Sequence, residues 1–378
     1  MTAVRQRVLL VRLDHMGDVV LTVPPVAHSL RSSYPNLEIH VLTTRVGRSL
    51  LAGDPAITQI IAFDPPWSVI PTGTASDSKF SWLIRCGAFL REHGLKGPGN
   101  YNWIIYLSFS PWERFLTRFW SRRRLGFFGV YNRLSFKASK HLLTHKLPLD
   151  ISRHSTDNAL DLVNLVLPLA KREHRTRLFA TETVRRRGAE LLSSISVLGD
   201  RLLVVHSGTN RSMKAWPLEN YLQVADLLNR AFGVKSVFVG RREEIQYVRQ
   251  MCAKQRRSEP ALLDTTQIED LMGIALHATL FLSNDGGPMH IAAALGVPTL
   301  GVFGPTDENL FGPRGMQSRS VRQPGICGQH HYPWQVASCC RATGKECLRE
   351  IKVDTVFEAA ADMLRDNPVA AAEAQSVA

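Results

Sequence analysis

Short apolar runs alternate along this chain with segments in which apolar residues recur every three or four positions. Arg7–Arg12 (RVLLVR) reads as a buried strand. Val19–Arg31 follows with helical spacing, and Pro24 and Pro25 are expected to perturb its start or first turns. Glu38–Thr43, Gln59–Phe63 and Asn102–Leu107 read as further strands, and the Pro-containing stretch Asp64–Ser78 as a loop. The pattern restarts after residue 180. Strands are expected at Arg201–His206, Lys235–Val239, Ala261–Asp264, Thr279–Ser283 and Pro298–Phe303. Helices are expected at Pro217–Phe232, Glu243–Arg256, Ile268–His277, Pro288–Leu295 and Val353–Leu364. Leu218, Tyr221, Leu222, Ala225 and Leu228 form one stripe of the first of these. The Ala-rich end after Asn367 reads as frayed.

Strands separated by helices predict βαβ units and parallel sheets. The fold class is therefore α/β, with two doubly wound domains, 1–180 and 181–378, and a last helix free to pack back on the first. Ligands of such sheets sit at the carboxyl ends of the strands, so a cleft between the domains is the expected site.

Length and composition agree: 378 residues, 44% apolar and 21% charged, describe a globular chain. The longest apolar region, His290–Phe303, is interrupted by Gly296, Pro298 and Gly301, so no spanning helix is expected. The apolar run Val8–Val11 is too short for a secretory signal core. With only six cysteines, a cytoplasmic protein with reduced thiols is expected.

The net charge is +13 and is unevenly placed: residues 111–190 hold 17 Lys/Arg against 7 Asp/Glu. Such a face suits anionic lipid headgroups or phosphorylated glycolipids, or is simply solvated. No helix-turn-helix, zinc-finger or RRM signature supports nucleic acid as a partner.

Three loops carry candidate chemistry. The first strand-to-helix turn reads Arg12-Leu13-Asp14-His15-Met16-Gly17-Asp18. It lacks the G-x-G-x-x-G of a dinucleotide-binding turn, and no P-loop motif occurs anywhere. Asp18 reads either as a helix N-cap or as a general base at the sheet edge, with Asp14 and His15 as rivals. The second loop, Ser207–Pro217, gathers hydroxyls, Gly208 and Lys214 before a helix and suits phosphate. The third, Asn284-Asp285-Gly286-Gly287-Pro288-Met289-His290, offers glycines for close backbone approach, a helix start and an imidazole. There is no Asp-x-Asp, so a divalent metal bridging a nucleotide diphosphate is not expected. Cys327, Cys339, Cys340 and Cys347, with His330 and His331, lack the C-x₂-C pairs of a zinc site. Inert thiols are expected, with a structural metal or labile disulfide as the alternative.

These motifs, in this order, resemble glycosyltransferase family 9, the ADP-heptose–lipopolysaccharide heptosyltransferases. The segments that carry the resemblance are VLLVRLDHMGDVVLTVPPV, HSGTNRSMKAWP, VGRREE, SNDGGPMHIAAALGVPTLGVFGPTD and CLREIKVDTVFEAA. The middle of the chain, about 64–180, matches only in style. The resemblance implies a GT-B fold with an acceptor-binding first domain and a donor-binding second domain. It implies inverting, metal-independent transfer from ADP-L-glycero-β-D-manno-heptose to a lipopolysaccharide core acceptor at the inner face of the cytoplasmic membrane. Asp18 aligns with the family's base and Lys214 with the lysine on the donor phosphates. Thr209 and Asn210 lie in the phosphate loop, where Asn210 departs from the usual hydroxyl. Glu243 or Glu244 would hold the ribose. Asp285, Gly286, Gly287 and His290 align with the segment holding the sugar and diphosphate, and Gly286 stands where many relatives carry Thr. The alternatives are a family member using another sugar nucleotide or acceptor, and a non-catalytic binder of anionic glycolipid.

Overall fold

The computed structural model describes residues 6–65, 79–94, 97, 101–129, 138–209, 212–322 and 347–366. Most of the Asp64–Ser78 loop, Asn210, Cys327, Cys339, Cys340 and the Ala-rich end lie outside the described residues. The chain divides into two compact units, Met1–Phe179 and Ala180–Ala378.

Unit 1 is a parallel sheet of β1 (Arg7–Arg12), β2 (Glu38–Thr43), β3 (Gln59–Ala62), β4 (Trp103–Tyr106), β5 (Arg124–Phe128) and β6 (His145–Pro148). The order is β3-β2-β1-β4-β5-β6, so the winding reverses between β1 and β4. Residues 8–11 of β1 are buried almost completely, as a strand covered on both faces requires. Its helices are α1 (Met16–Ser33), α2 (Arg45–Leu51), α3 (Lys79–His93), α4 (Pro111–Thr117) and α5 (Ser155–Asn164).

Helix α1 runs through both prolines, contrary to the expectation that they would disturb its beginning. It starts at Met16, which places Pro24 and Pro25 mid-helix and buried. Pro25 has no N–H for the carbonyl of Leu21. The hydroxyl of Thr156 on α5 donates to that carbonyl instead, at 2.8 Å. A tertiary contact thus satisfies the acceptor that the imino acid leaves open.

Unit 2 repeats the design with β7 (Leu202–His206), β8 (Lys235–Gly240), β9 (Ala261–Asp264), β10 (Leu280–Asn284), β11 (Thr299–Phe303) and β12 (Ser318–Arg322). All neighbours are parallel, the order is β12-β11-β10-β7-β8-β9, and the reversal lies between β7 and β10. Its helices are α6 (Glu182–Ser194), α7 (Leu218–Phe232), α8 (Arg242–Gln255), α9 (Ile268–Ala275), α10 (Gly287–Ala294), α11 (Glu308–Phe311) and α12 (Val353–Arg365). The α7 stripe is buried throughout. The last helix, α12, packs on α7, and Val356, Ala360 and Leu364 join the core of its own unit.

No helix among the described residues is long and apolar enough to cross a membrane. Cys86 and Cys252 are buried thiols, and Cys347 opens a short 3₁₀ turn.

Candidate active site

The carboxyl ends of β1 and β4 flank the reversal point of unit 1, where a doubly wound sheet leaves room for a ligand. The last β1–β4 ladder bond is Leu107 N to Val11 O, at 3.0 Å. Beyond it, side chains take over. Arg12, 4% exposed, donates from Nη1 to the Leu107 carbonyl. Its Nε donates to Asp14 Oδ1 at 2.6 Å, and its Nη2 lies 3.1 Å from Asp18 Oδ1. The Leu13 N–H donates to Glu113 Oε1 at 3.1 Å, and the Ser108 hydroxyl donates to the other oxygen of that carboxylate. One buried guanidinium thus holds two carboxylates that reach solvent, with a third acid buried behind the turn.

Charge in this cluster is strongly perturbed. Burial pushes the Glu113 carboxyl up to about 7, and the neighbouring Asp14 adds to the rise. Burial likewise pushes Asp14 up to about 6, against the pull of Arg12. Burial alone would lower the Arg12 guanidinium, but Asp14, Asp18 and Glu113 together hold it above its ordinary value.

Asp18 is not the N-cap. Helix α1 is preceded by His15, whose side chain makes no cap bond and is exposed. Asp18 sits in the first turn, where the helix dipole favours a negative side chain.

In unit 2 the equivalent ends are those of β7 and β10. Lys214 Nζ meets Asp285 Oδ2 at 2.5 Å, and both side chains are largely buried. Asn284 ties the two loops together: its amide nitrogen donates to Ser207 O at 2.8 Å, and its oxygen accepts from Trp216 N at 2.9 Å. Trp216 is buried against Tyr221, and its indole N–H donates to Ile351 O at 3.0 Å. The spacing Lys214-x-Trp216 therefore places a cation two residues from a rigid anchor.

Glu244 accepts from Arg241 N at 2.8 Å and turns back over Gly208, where a Cβ would collide with its carboxylate. His206, at the end of β7, lies 3.9 Å from the same carboxylate, and burial lowers its imidazole below the usual value against the pull of Glu244. Glu243 is exposed. Gly286 has an extended backbone, and a Cβ there would meet nothing closer than 3.8 Å, so the fold itself does not demand glycine. Gly287 and Pro288 open α10, and His290 is buried one turn in. Thr209 is half-buried at the exit of β7.

Lys214, Asp285, Gly286, Gly287 and His290 thus share the β7 and β10 ends, and Glu244 is the acid beside Gly208. Asp18 stands at the reversal point of the other unit. Arg12 and Asn284 stand in loops quoted from the sequence but were given no role there, and Glu113 was not among the residues read from sequence. Ser110-x-x-Glu113 has capping-box spacing, but Ser110 makes no side-chain cap bond, and the Glu113 side chain reaches Leu13 and Ser108 instead.

The model of glycosyltransferase family 9 (heptosyltransferase) matches residues 129–332, more than half of the chain. The chain belongs to glycosyltransferase family 9. It is accordingly a glycosyltransferase. It is similar to lipopolysaccharide heptosyltransferase 3 of Escherichia coli K12, 23% identical over 309 residues, covering 80% of this chain and 83% of that protein. Among solved structures it resembles the family 9 glycosyl transferase of Veillonella parvula, with a TM-score of 0.79, 21% identity, and 97% and 99% of the two chains covered. It also resembles the ADP-heptose lps heptosyltransferase II of E. coli, with a TM-score of 0.71, 18% identity, and 96% and 99% covered. The two Rossmann-like units are the GT-B fold that the sequence motifs imply.

Proposed function

We propose that this family 9 member transfers heptose from ADP-L-glycero-β-D-manno-heptose to a lipopolysaccharide core acceptor, inverting the anomeric centre without a metal ion. The observation that carries this reading is the opposite chemistry at the two reversal points: solvent-reaching carboxylates on unit 1, and a lysine among amide-rich turns on unit 2. The names of the curated relative and of the E. coli structure supply the heptose, the ADP and the lipopolysaccharide.

Asp18 takes the proton from the acceptor hydroxyl as its oxygen attacks the anomeric carbon. The bond from that carbon to the phosphate oxygen breaks, and ADP leaves with the electron pair. Lys214, His290 and the N–H groups opening α10 receive the negative charge. Thr209, Asn210, Asp285, Gly286 and Gly287 complete the donor site. Glu244, beside Gly208, is the better placed acid for the ribose hydroxyls, in preference to Glu243. The lack of any Asp-x-Asp supports a metal-independent reaction. Unit 1 would bind the acceptor and unit 2 the donor. The basic 111–190 segment suits a phosphorylated glycolipid at the cytoplasmic face of the inner membrane.

The test is a mass-shift assay with truncated core glycolipids, ADP-heptose and a panel of other sugar nucleotides, run with and without chelator. Heptose transfer that survives chelation is expected. Consumption of only a different donor, or no transfer without a divalent ion, overturns the corresponding part.

A further inference from the structure

Glu113 is a fully buried acid that the proposed chemistry does not use. Asp14 and Asp18 have side chains 30% and 27% exposed, whereas the Arg12 side chain is 5% exposed. Glu113 is therefore out of reach of any substrate, yet it sits behind the turn that presents Asp18. It accepts the first β1 exit donor that the β1–β4 ladder leaves open, the Leu13 N–H, from a helix 100 residues further along the chain. The matching open acceptor, Leu107 O, is taken by Arg12. Two side chains thus continue the ladder across the point where the strands part.

We propose that Glu113 is a positioning residue for the Asp14–Asp18 turn, fixing its backbone through Leu13 and sharing the charge of Arg12 with the two half-buried carboxylates. This rests on Asp18 being the base. With Glu113 ionised, Arg12 divides its charge among three acids. With Glu113 protonated, Arg12 is shared by Asp14 and Asp18 alone and holds the Asp18 side chain more firmly against the guanidinium. The groups facing Glu113 are Arg12 on β1, Asp14 at the turn, Ser108 and Tyr106 from β4 and its exit, and Arg114 on α4 itself. His15 acts on Asp14 in turn. Burial keeps the Glu113 proton on until pH about 7, so the change falls near neutral pH.

The experiment compares wild type, Glu113→Gln and Glu113→Asp in the full chain. In wild type, kcat falls as pH drops through about 7. Glu113→Gln lowers kcat above that pH by about tenfold, the equivalent of one pK unit, and flattens the fall. KM for the sugar nucleotide is unchanged, and Glu113→Asp restores the slope. The second readout needs no turnover: the assigned Leu13 amide resonance shifts with a midpoint near pH 7 in wild type and not in Glu113→Gln. Equal loss at every pH, or a Leu13 titration with a midpoint near pH 7 that persists in Glu113→Gln, overturns the proposal; a residual step near pH 6 belongs to the adjacent Asp14. A Leu13 titration lost in Glu113→Gln, in a protein that transfers no sugar from any donor, upholds the positioning role and refutes the transferase reading instead.

Discussion

Lys214→Met removes the cation that faces Asp285 across 2.5 Å, with side chains only 15% and 7% exposed. At an effective dielectric of about 20, opposite charges at that distance attract by about 7 kcal/mol, before desolvation is counted. Desolvation offsets most of that gain when both partners are present. With one partner removed, the survivor keeps its desolvation cost, and such losses run to about 3–5 kcal/mol for buried pairs. Lys214→Met and Asp285→Asn are each expected to destabilise unit 2 by about 3 kcal/mol, whereas the double variant costs far less than the sum, with a coupling of about 2–3 kcal/mol. Thermal unfolding of the four proteins measures the cycle. Binding separates structure from function. Losing one charged hydrogen bond to a diphosphate, worth about 1.5–3 kcal/mol, weakens ADP roughly 10- to 150-fold in Lys214→Met by calorimetry. Additive destabilisation, with ADP binding untouched, would refute both the buried pairing and the phosphate role.

Asp18→Asn is expected to reduce transfer by about 10²–10⁴-fold with little change in donor KM, while Asp14→Asn leaves most of the rate; the reverse ranking would make Asp14 the base. Gly208→Ala drives a methyl into the Glu244 carboxylate, and the displaced acid is expected to raise the sugar-nucleotide KM while kcat holds; an unchanged KM would remove Glu244 from the ribose site. Stability should also report on Glu113. Its folded value, near 7, lies above the ordinary 4.5, so the native state holds a proton that the unfolded chain has lost between those values. That contribution is full below 4.5 and is lost as pH rises through about 7. Wild-type stability relative to Glu113→Gln should therefore drop by on the order of 2–3 kcal/mol across that window in chemical denaturation, and a pH-independent difference would refute the buried-acid reading.

Much of this fold was legible because strands buried on both faces carry short, dense apolar runs. RVLLVR and EIHVLT gave their strands to the residue. The strands left unread are β5, β6 and β12, and two of these are sheet edges with little to bury. In β12 only Val321 is buried, and in β6 no residue is. The prolines of α1 misled because the compensating hydroxyl lies on another helix, 135 residues away. Within the site, the Lys214-x-Trp216 and Asp285-Gly-Gly motifs were visible as local spacing. Glu113 was not, because it does its work on a turn 100 residues away, and the tie that Asn284 makes to Ser207, 77 residues away, leaves no mark in its own loop.

The reach between β1 and its later partners has a consequence during synthesis. Strand β2 can join β1 as soon as some thirty further residues have left the ribosome, but Leu107 and Glu113 trail Arg12 and Leu13 by 95 and 100 residues. At about 5–20 residues per second, the acidic turn waits roughly 5–20 s for the groups that will hold it. Throughout that interval a nascent guanidinium and two carboxylates remain hydrated, and β1 offers a bare edge to any passing strand.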